Sequence, residues 1–211
     1  MKLRTLLTTV AGGTVLALTL AACGNGDQDA ATSAAAEEES SETTTESTLQ
    51  PEVSDMHNEA DVNFAQMMIV HHEGAIEMAD VAVERAGSQE VRTLAEGISA
   101  AQGPEITQMT SWLEAWGEET SPAGDGGMDH GGMEMEGLTQ EEAMVELESV
   151  PDAEFELRFL ELMIAHHRGA VDMAETELDD GENPEALALA QTMIDDQQAE
   201  ITEMEDMLES R

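Results

Sequence analysis

Two adjacent histidines occur twice in this sequence, each time inside nearly the same string of residues. The first string, from Met67 to Ala79, reads MMIVHHEGAIEMA, and the second, from Leu162 to Ala174, reads LMIAHHRGAVDMA. The offset of 95 residues continues beyond the strings and aligns Gln102 with Gln197. This self-similarity indicates an internal duplication. Imidazole and thioether groups side by side favour copper, and thioethers favour Cu(I) in particular.

The spacing of the apolar residues places the first histidine of each pair on the inner face of a helix. At about 100° per residue, His71 and its equivalent His166 share a narrow sector with apolar side chains. His72 and His167 lie about 100° further round, where they can reach a neighbouring helix. A helical glycine follows each pair, at Gly74 and Gly169. It costs roughly 1 kcal/mol relative to Ala and so predicts a close approach by another group.

Four amide or carboxylate groups lie on the predicted core face of the second helix of each repeat. These are Gln102, Glu105, Gln197 and Glu200. A buried carboxylate needs a proton, a cation or a hydrogen-bond donor, because burying it alone is costly. In one interpretation His71 and His166 donate to Glu200 and Glu105 as core pairs. In the other, the histidines and glutamates bind a metal, and Gln102 and Gln197 support them by hydrogen bonds.

Methionines surround these polar residues and could supply sulfur ligands. The candidates are Met67, Met68, Met78, Met109, Met163, Met173 and Met204. A methionine stripe at helical spacing can equally be core filling. A second set lies in a glycine-rich linker, where exposed methionines have no packing role. For this set we predict metal capture by Met128, His130, Met133 and Met135.

The first 22 residues have the features of a bacterial lipoprotein signal peptide. Lys2 and Arg4 precede an apolar stretch too short for a mature transmembrane helix, and the stretch ends in Leu20-Ala21-Ala22-Cys23. We therefore expect a lipid on Cys23 that holds the protein to the extracytoplasmic face of the cell membrane. Since Cys23 is the single cysteine, it also excludes an internal disulfide and thiolate metal sites.

The chain is strongly acidic. It carries 47 Asp and Glu against seven Lys and Arg, and removal of the signal peptide takes away Lys2 and Arg4. No lysine then remains. Nucleic acid is excluded as a partner, because phosphate binding requires a basic surface.

The predicted order along the chain is signal peptide, tether and one helical domain. Residues 23–54 are rich in Ser, Thr, Ala and Glu and are expected to form a disordered tether. The domain, residues 55–211, contains repeat one (58–116), the Met/His/Gly-rich linker (117–137), a short helix (139–149) and repeat two (152–210). Asp61 is the expected N-cap of the first helix, and Asn183-Pro184 opens the last. Two hairpins with one apolar face each should close into an antiparallel four-helix bundle with a pseudo-twofold axis.

The repeated HH-x-Gly-Ala-x-x-Met-Ala string, followed in each half by Gln-x-x-Glu-Ile-x-x-Met, resembles the bacterial family called domain of unknown function 305 in its two-copy form. The resemblance covers residues 55–211. It implies a ferritin-like bundle and a secreted or periplasmic location. For the family's CopM-like members it also implies copper binding and copper tolerance.

Other functions would require different sequence motifs. A ferritin-like di-iron or di-manganese oxidase requires Glu-x-x-His, but Met68 and Met163 stand where the glutamates would be. A non-metal envelope protein with an acidic interaction surface is the alternative. Serine, cysteine and phosphate chemistries lack their motifs. The prediction is a copper-binding protein that is not an enzyme.

Overall fold

The computed structural model describes residues 53–122 and 135–211, which contain five helices. The helices are α1 (Glu59–Arg85), α2 (Gln89–Trp116), α3 (Gln140–Ser149), α4 (Asp152–Asp180) and α5 (Pro184–Glu209). The described residues also form one isolated β-bridge, between Met135 and Leu138, but no β-strand. The predicted all-α bundle is confirmed.

The first helix begins differently from the prediction. Asn58 is the N-cap of α1, and its side chain accepts hydrogen bonds from the amides of Ala60 (2.6 Å) and Asp61 (3.2 Å). Asp61 was predicted to be this cap, but it is the third helical residue and accepts from the Asn58 amide at 2.6 Å. The pair forms a capping box, which satisfies donors on both sides of the helix start.

Polar N-cap residues begin α2, α3 and α5. Ser88 caps α2, and α2 runs through Pro104 to Gly117, whose φ of 76° is left-handed. Thr139 and Glu142 form the capping box of α3. Asn183 caps α5 by accepting from the amides of Glu185 (3.0 Å) and Ala186 (2.9 Å).

Helices α1 and α4 form the centre of the bundle, with α2 packed on α1 and α5 packed on α4. At one end Arg85 of α1 bonds Asp152 at the start of α4 (2.8 Å). At the other end Asn58 bonds the carbonyl of Asp180 (2.9 Å). The central helices are therefore antiparallel.

Helix α3 lies along the groove between α1 and α4. The Gln140 side-chain amide donates to the Gly74 carbonyl (3.0 Å), and Arg85 donates to the carbonyl of Leu147 (2.8 Å). A Cβ atom on Gly74 would lie 2.8 Å from the Gln140 side chain. The close approach predicted from this glycine is thus made by α3.

The apolar core is divided into two clusters at opposite ends of the bundle. One contains Phe155, Phe159 and Met163 of α4 together with Ile98 of α2. The other contains Phe64 and Met68 of α1, with Trp112 of α2 and Met193 of α5. Since Phe64 and Phe159 are equivalent in the duplication, the pseudo-twofold operation exchanges the two ends.

Each end is closed by a carboxylate that binds the turn of the other repeat. Asp61 accepts from the backbone amides of Asn183 (2.8 Å) and Glu182 (3.1 Å), and its equivalent Glu156 accepts from the amide of Ser88 (2.5 Å). Ser88 and Asn183 are themselves equivalent N-caps. We call these two contacts the end clasps.

The two end clasps differ in how their charge is balanced. Glu156 forms an ion pair with Arg211. Asp61 instead lies beside Glu177, which is only 1% exposed. Neither carboxyl oxygen of Glu177 has a hydrogen-bond donor among the described residues when Glu177 is ionised. A proton on Glu177 therefore balances the charge of the Asp61–Glu177 pair.

No helix in the described part of the chain is long and apolar enough to cross a membrane. The predicted signal peptide, Cys23 and most of the predicted tether lie outside the described residues. So do Met128, His130 and Met133 of the linker. Met135 is described, and the prediction that it is an exposed capture ligand is wrong: it is 1% exposed and packs in the cluster with Phe155.

Candidate metal centre

The four duplicated histidines lie at the middle of the bundle, between the two apolar clusters. His72 and His167 are 0% exposed, and His71 and His166 are 2% and 3% exposed. The rings of His71 and His166 meet across the α1–α4 contact, with centroids 3.6 Å apart and planes tilted by 41°. The helical phase predicted this burial. We call these four residues, together with Gln102 and Gln197, the histidine layer.

The glutamates pair with the second histidine of each repeat and not with the first. His72 Nε2 lies 2.8 Å from Glu105 Oε2, and His167 Nε2 lies 2.7 Å from Glu200 Oε2. The interpretation that paired Glu200 with His71 and Glu105 with His166 is not confirmed, because each glutamate bonds the second histidine of its own repeat. Both real contacts join neighbouring helices of one hairpin, because the second histidine faces the partner helix and the first faces the other repeat.

These contacts decide which nitrogen can act as a metal ligand. An ionised carboxylate only accepts hydrogen bonds, so Nε2 of His72 and of His167 carries the proton in a neutral ring. The lone pair is then on Nδ1. In metalloproteins a carboxylate commonly orients a ligating histidine in this way. Glu105 and Glu200 are thus placed as orienting groups rather than ligands.

Several polar atoms of the histidine layer are buried without a hydrogen-bond partner among the described residues. They are Nδ1 of His72, His166 and His167 and Oε1 of Gln102 and Gln197. An unsatisfied buried polar atom costs about 1 to 3 kcal/mol. All five atoms can present lone pairs, so a cation would fit this set whereas another acceptor would not.

The surroundings of His166 favour its neutral form. Burial lowers the pKa of His166 well below its usual value of 6.5, and positive charge on His71, His167 or His72 would lower this pKa further. A hydrogen bond with the His71 backbone acts in the opposite direction but is the smaller effect. A histidine that remains neutral keeps a lone pair for a metal.

The candidate sulfur ligands divide by burial. Those that are 0% exposed are Met68, Met78, Met109, Met163 and Met204, whereas Met67 and Met173 are half-buried. Met68 and Met163 precede His71 and His166, respectively, by about one helical turn. Met109 and Met204 follow Glu105 and Glu200 by one turn.

In the observed side-chain conformations, oxygen and nitrogen ligands alone do not form a complete metal site. Within residues 53–122 and 135–211, no three His, Cys, Asp or Glu side chains are arranged to hold a metal. Binding in the histidine layer therefore requires the thioethers or a rotation of the rings.

The spacing in the sequence does not reveal this pairing, because the duplication repeats every distance within a hairpin. His72 and Glu105 are 33 residues apart, and so are His167 and Glu200. The distance between two antiparallel partners is set by the length of the hairpin, and a duplicated hairpin repeats it.

The fold and the histidine layer define an all-α four-helix bundle with a polar, histidine-rich middle. The chain belongs to the family described as domain of unknown function (DUF305), whose family model matches residues 61–208. This confirms the resemblance found in the duplicated strings. The comparison with curated proteins gave no match.

Solved structures of related proteins share this fold. A DUF305 fragment from Deinococcus radiodurans is 32% identical, with a TM-score of 0.64, and the match covers 73% of this chain and 98% of that one. A putative secreted DUF305 protein from Streptomyces coelicolor is 34% identical, also with a TM-score of 0.64, over 72% and 93%. CopM in its Cu(I)-bound form is 31% identical, with a TM-score of 0.58, over 71% and 96%. CopM was also solved in Cu(II)-bound and Ag-bound forms.

Proposed function

We propose that the protein binds copper outside the cytoplasm and holds it for sequestration or transfer. The observation that carries this proposal is the pair of buried Nδ1 atoms on His72 and His167, each left without a partner while Nε2 is bonded to a glutamate. Two oriented imidazoles in a methionine-rich core are a soft to borderline ligand set, which suits copper.

The arrangement favours storage over turnover. A catalytic metal needs an open position for its substrate, and the histidine layer is closed by apolar clusters on both sides. The copper- and silver-bound forms of CopM give independent support for this chemistry in the family fold. Copper is cargo in this proposal, so no substrate or reaction is assigned.

A di-metal oxidase has less support. Such sites take several carboxylates as direct ligands, whereas Glu105 and Glu200 are bonded to histidines and are 19% and 26% exposed. Exposing the described domain to equimolar Cu, Zn, Fe and Mn, followed by metal analysis, separates the alternatives. Copper enrichment supports the proposal, iron enrichment supports an oxidase, and no retained metal supports an acidic interaction protein.

We expect the double substitution Glu105→Gln, Glu200→Gln to weaken copper binding by about 10- to 100-fold, the usual effect of losing a carboxylate that orients a ligating histidine. Glutamine preserves the acceptor and the size of the side chain but removes its charge. Affinity is measured by competition with a chromophoric Cu(I) chelator. Glu203→Gln on the exposed face of α5 is the matched control and should leave affinity unchanged. Equal affinity in both variants contradicts the role of the glutamates.

We further propose that Cys23 carries a lipid that anchors the protein to the cell membrane. Its position after Leu20-Ala21-Ala22 supports this proposal. Cys23→Ser should release the protein from the membrane fraction, because acyl chains and not an apolar helix would hold it there. Fractionation of cells expressing each form tests this. A Cys23→Ser protein that is still processed and still sediments with membranes would overturn the anchor.

A further inference from the structure

A second set of soft ligands lies at the end of the bundle, on the segment that leads into α1. Met56 is 57% exposed, and His57 beside it is half-buried. We propose that Met56 and His57 form a solvent-facing site for a soft monovalent cation, Cu(I) or Ag(I). The site is separate from the histidine layer and would bind even if the layer did not.

The backbone of this segment is held in place from two helices. The Asn183 side-chain amide donates to the Met56 carbonyl (2.9 Å) and to the Ser54 carbonyl (3.3 Å). Trp116 Nε1 donates to the same Ser54 carbonyl (3.0 Å). The Met56 and His57 side chains therefore project from an anchored strip of chain, which lowers the entropy cost of binding.

The His57 ring is fixed in orientation and in tautomer. Its plane stacks on the indole of Trp116, with centroids 4.6 Å apart and an angle of 9°. His57 Nδ1 lies 3.0 Å from the carbonyl of Asp55, which can only accept, so Nδ1 carries the proton. Nε2 then bears the lone pair. A backbone carbonyl that fixes the other ring nitrogen is a common arrangement for a ligating histidine.

Met56 supplies the soft donor. Its unbranched side chain has three rotatable bonds, so the sulfur can turn toward an ion held on Nε2 of His57. Thioether with imidazole selects Cu(I) over hard divalent cations. Asp55 and Glu59, both exposed, add negative charge beside the site and attract cations to it.

Accessibility distinguishes this site from the histidine layer. Among the histidines that the structure describes, the four in the layer are at most 3% exposed, and His57 is the one that solvent reaches. An ion arriving from solution can therefore bind at Met56 and His57 without any opening of the bundle.

Silver(I) titration of the purified protein tests the proposal, because Ag(I) mimics Cu(I) without redox chemistry. The variant Met56→Leu, His57→Phe preserves side-chain volume and the aromatic stack on Trp116 but removes both donors. We expect the wild type to bind roughly one more equivalent of Ag(I) than the variant. We also expect the ¹⁵N resonance of His57 Nε2 to shift and the tryptophan fluorescence to be quenched during that equivalent. Trp112 and Trp116, the two tryptophans of the chain, both lie at this end.

Equal Ag(I) stoichiometry in the two proteins, or an unshifted His57 Nε2 resonance, would overturn the proposal. A variant of the histidine layer, His72→Phe with His167→Phe, separates failure of the Met56–His57 site from failure of the buried site. That variant should still show the fluorescence response. If the layer variant loses the fluorescence response and the Met56→Leu, His57→Phe variant retains it, the binding belongs to the histidine layer alone.

Discussion

Replacing both His72 and His167 by Phe is expected to weaken Cu(I) binding at the proposed buried site on the order of 1,000-fold or more. A factor of ten corresponds to about 1.4 kcal/mol, and each substitution removes an oriented Nδ1 lone pair from the centre of the layer. Phenylalanine fills much of the same volume in a site that is 0% exposed. Competition with a chromophoric Cu(I) chelator measures the loss.

The bundle should remain folded in this variant. Glu105 and Glu200 lose their partners, but their side chains are 19% and 26% exposed and can be hydrated. Circular dichroism at 222 nm and the urea midpoint check the fold. Glu203→Gln, on the exposed face of α5, is the control and should leave the tight component of binding intact. Unchanged tight binding in the double variant would contradict the proposed buried site.

The proton between Asp61 and Glu177 is expected to make stability depend on pH over an unusual range. Burial raises the pKa of Glu177 from 4.5 to about 8, and its hydrogen bond with Asp61 and the charges of Asp61 and Asp180 act in the same direction. Burial also favours a raised pKa at Asp61, but the amide of Asn183 and its other hydrogen bonds lower the pKa below 3.8. Glu177 thus holds the proton and Asp61 the charge.

The two shifts act on stability at opposite ends of the pH scale. The contribution of Glu177 is complete below pH 4.5 and is lost as pH rises through about 8. The contribution of Asp61 is complete above pH 3.8 and is lost as pH falls through its lowered pKa. One pKa unit is worth about 1.4 kcal/mol, so the shift of Glu177 can account for a decline of ~5 kcal/mol at most.

Glu177→Gln should remove most of this decline. Glutamine can donate to Asp61 as the protonated acid does, but it does not ionise. The free energy of unfolding in urea, measured at pH 5, 7 and 9, should fall less steeply in the variant than in the wild type. Glu175→Gln, an exposed position on the same helix, is the control. Parallel pH profiles in wild type and Glu177→Gln would show that Glu177 does not hold the proton.

Sequence periodicity was sufficient for the helices and for the burial of His71 and His166, because the apolar spacing defines one inner face per helix. It could not assign the glutamate partners. Glu105 and Glu200 are equivalent by the duplication, and only the packing of α1 on α2 and of α4 on α5 shows that each serves the histidine of its own hairpin.

Two other features were beyond the sequence for different reasons. Glu177 has Ala82 as its equivalent, so the duplication gave no signal for the proton shared with Asp61. Met135 lies in a glycine-rich stretch that suggested exposure, but the β-bridge with Leu138 turns the chain back and buries its side chain. Both outcomes depend on contacts between residues far apart in the chain or on a local turn that composition did not reveal.

The exchange of bundle ends by the pseudo-twofold operation has an evolutionary consequence. A single ancestral hairpin would have exposed an apolar face and half of the histidine layer, and a second copy related by a twofold axis would have completed both. Fusion of two genes would then have fixed that homodimer within one chain. In the present chain the two equivalent carboxylates are balanced differently, Asp61 by a proton on Glu177 and Glu156 by Arg211.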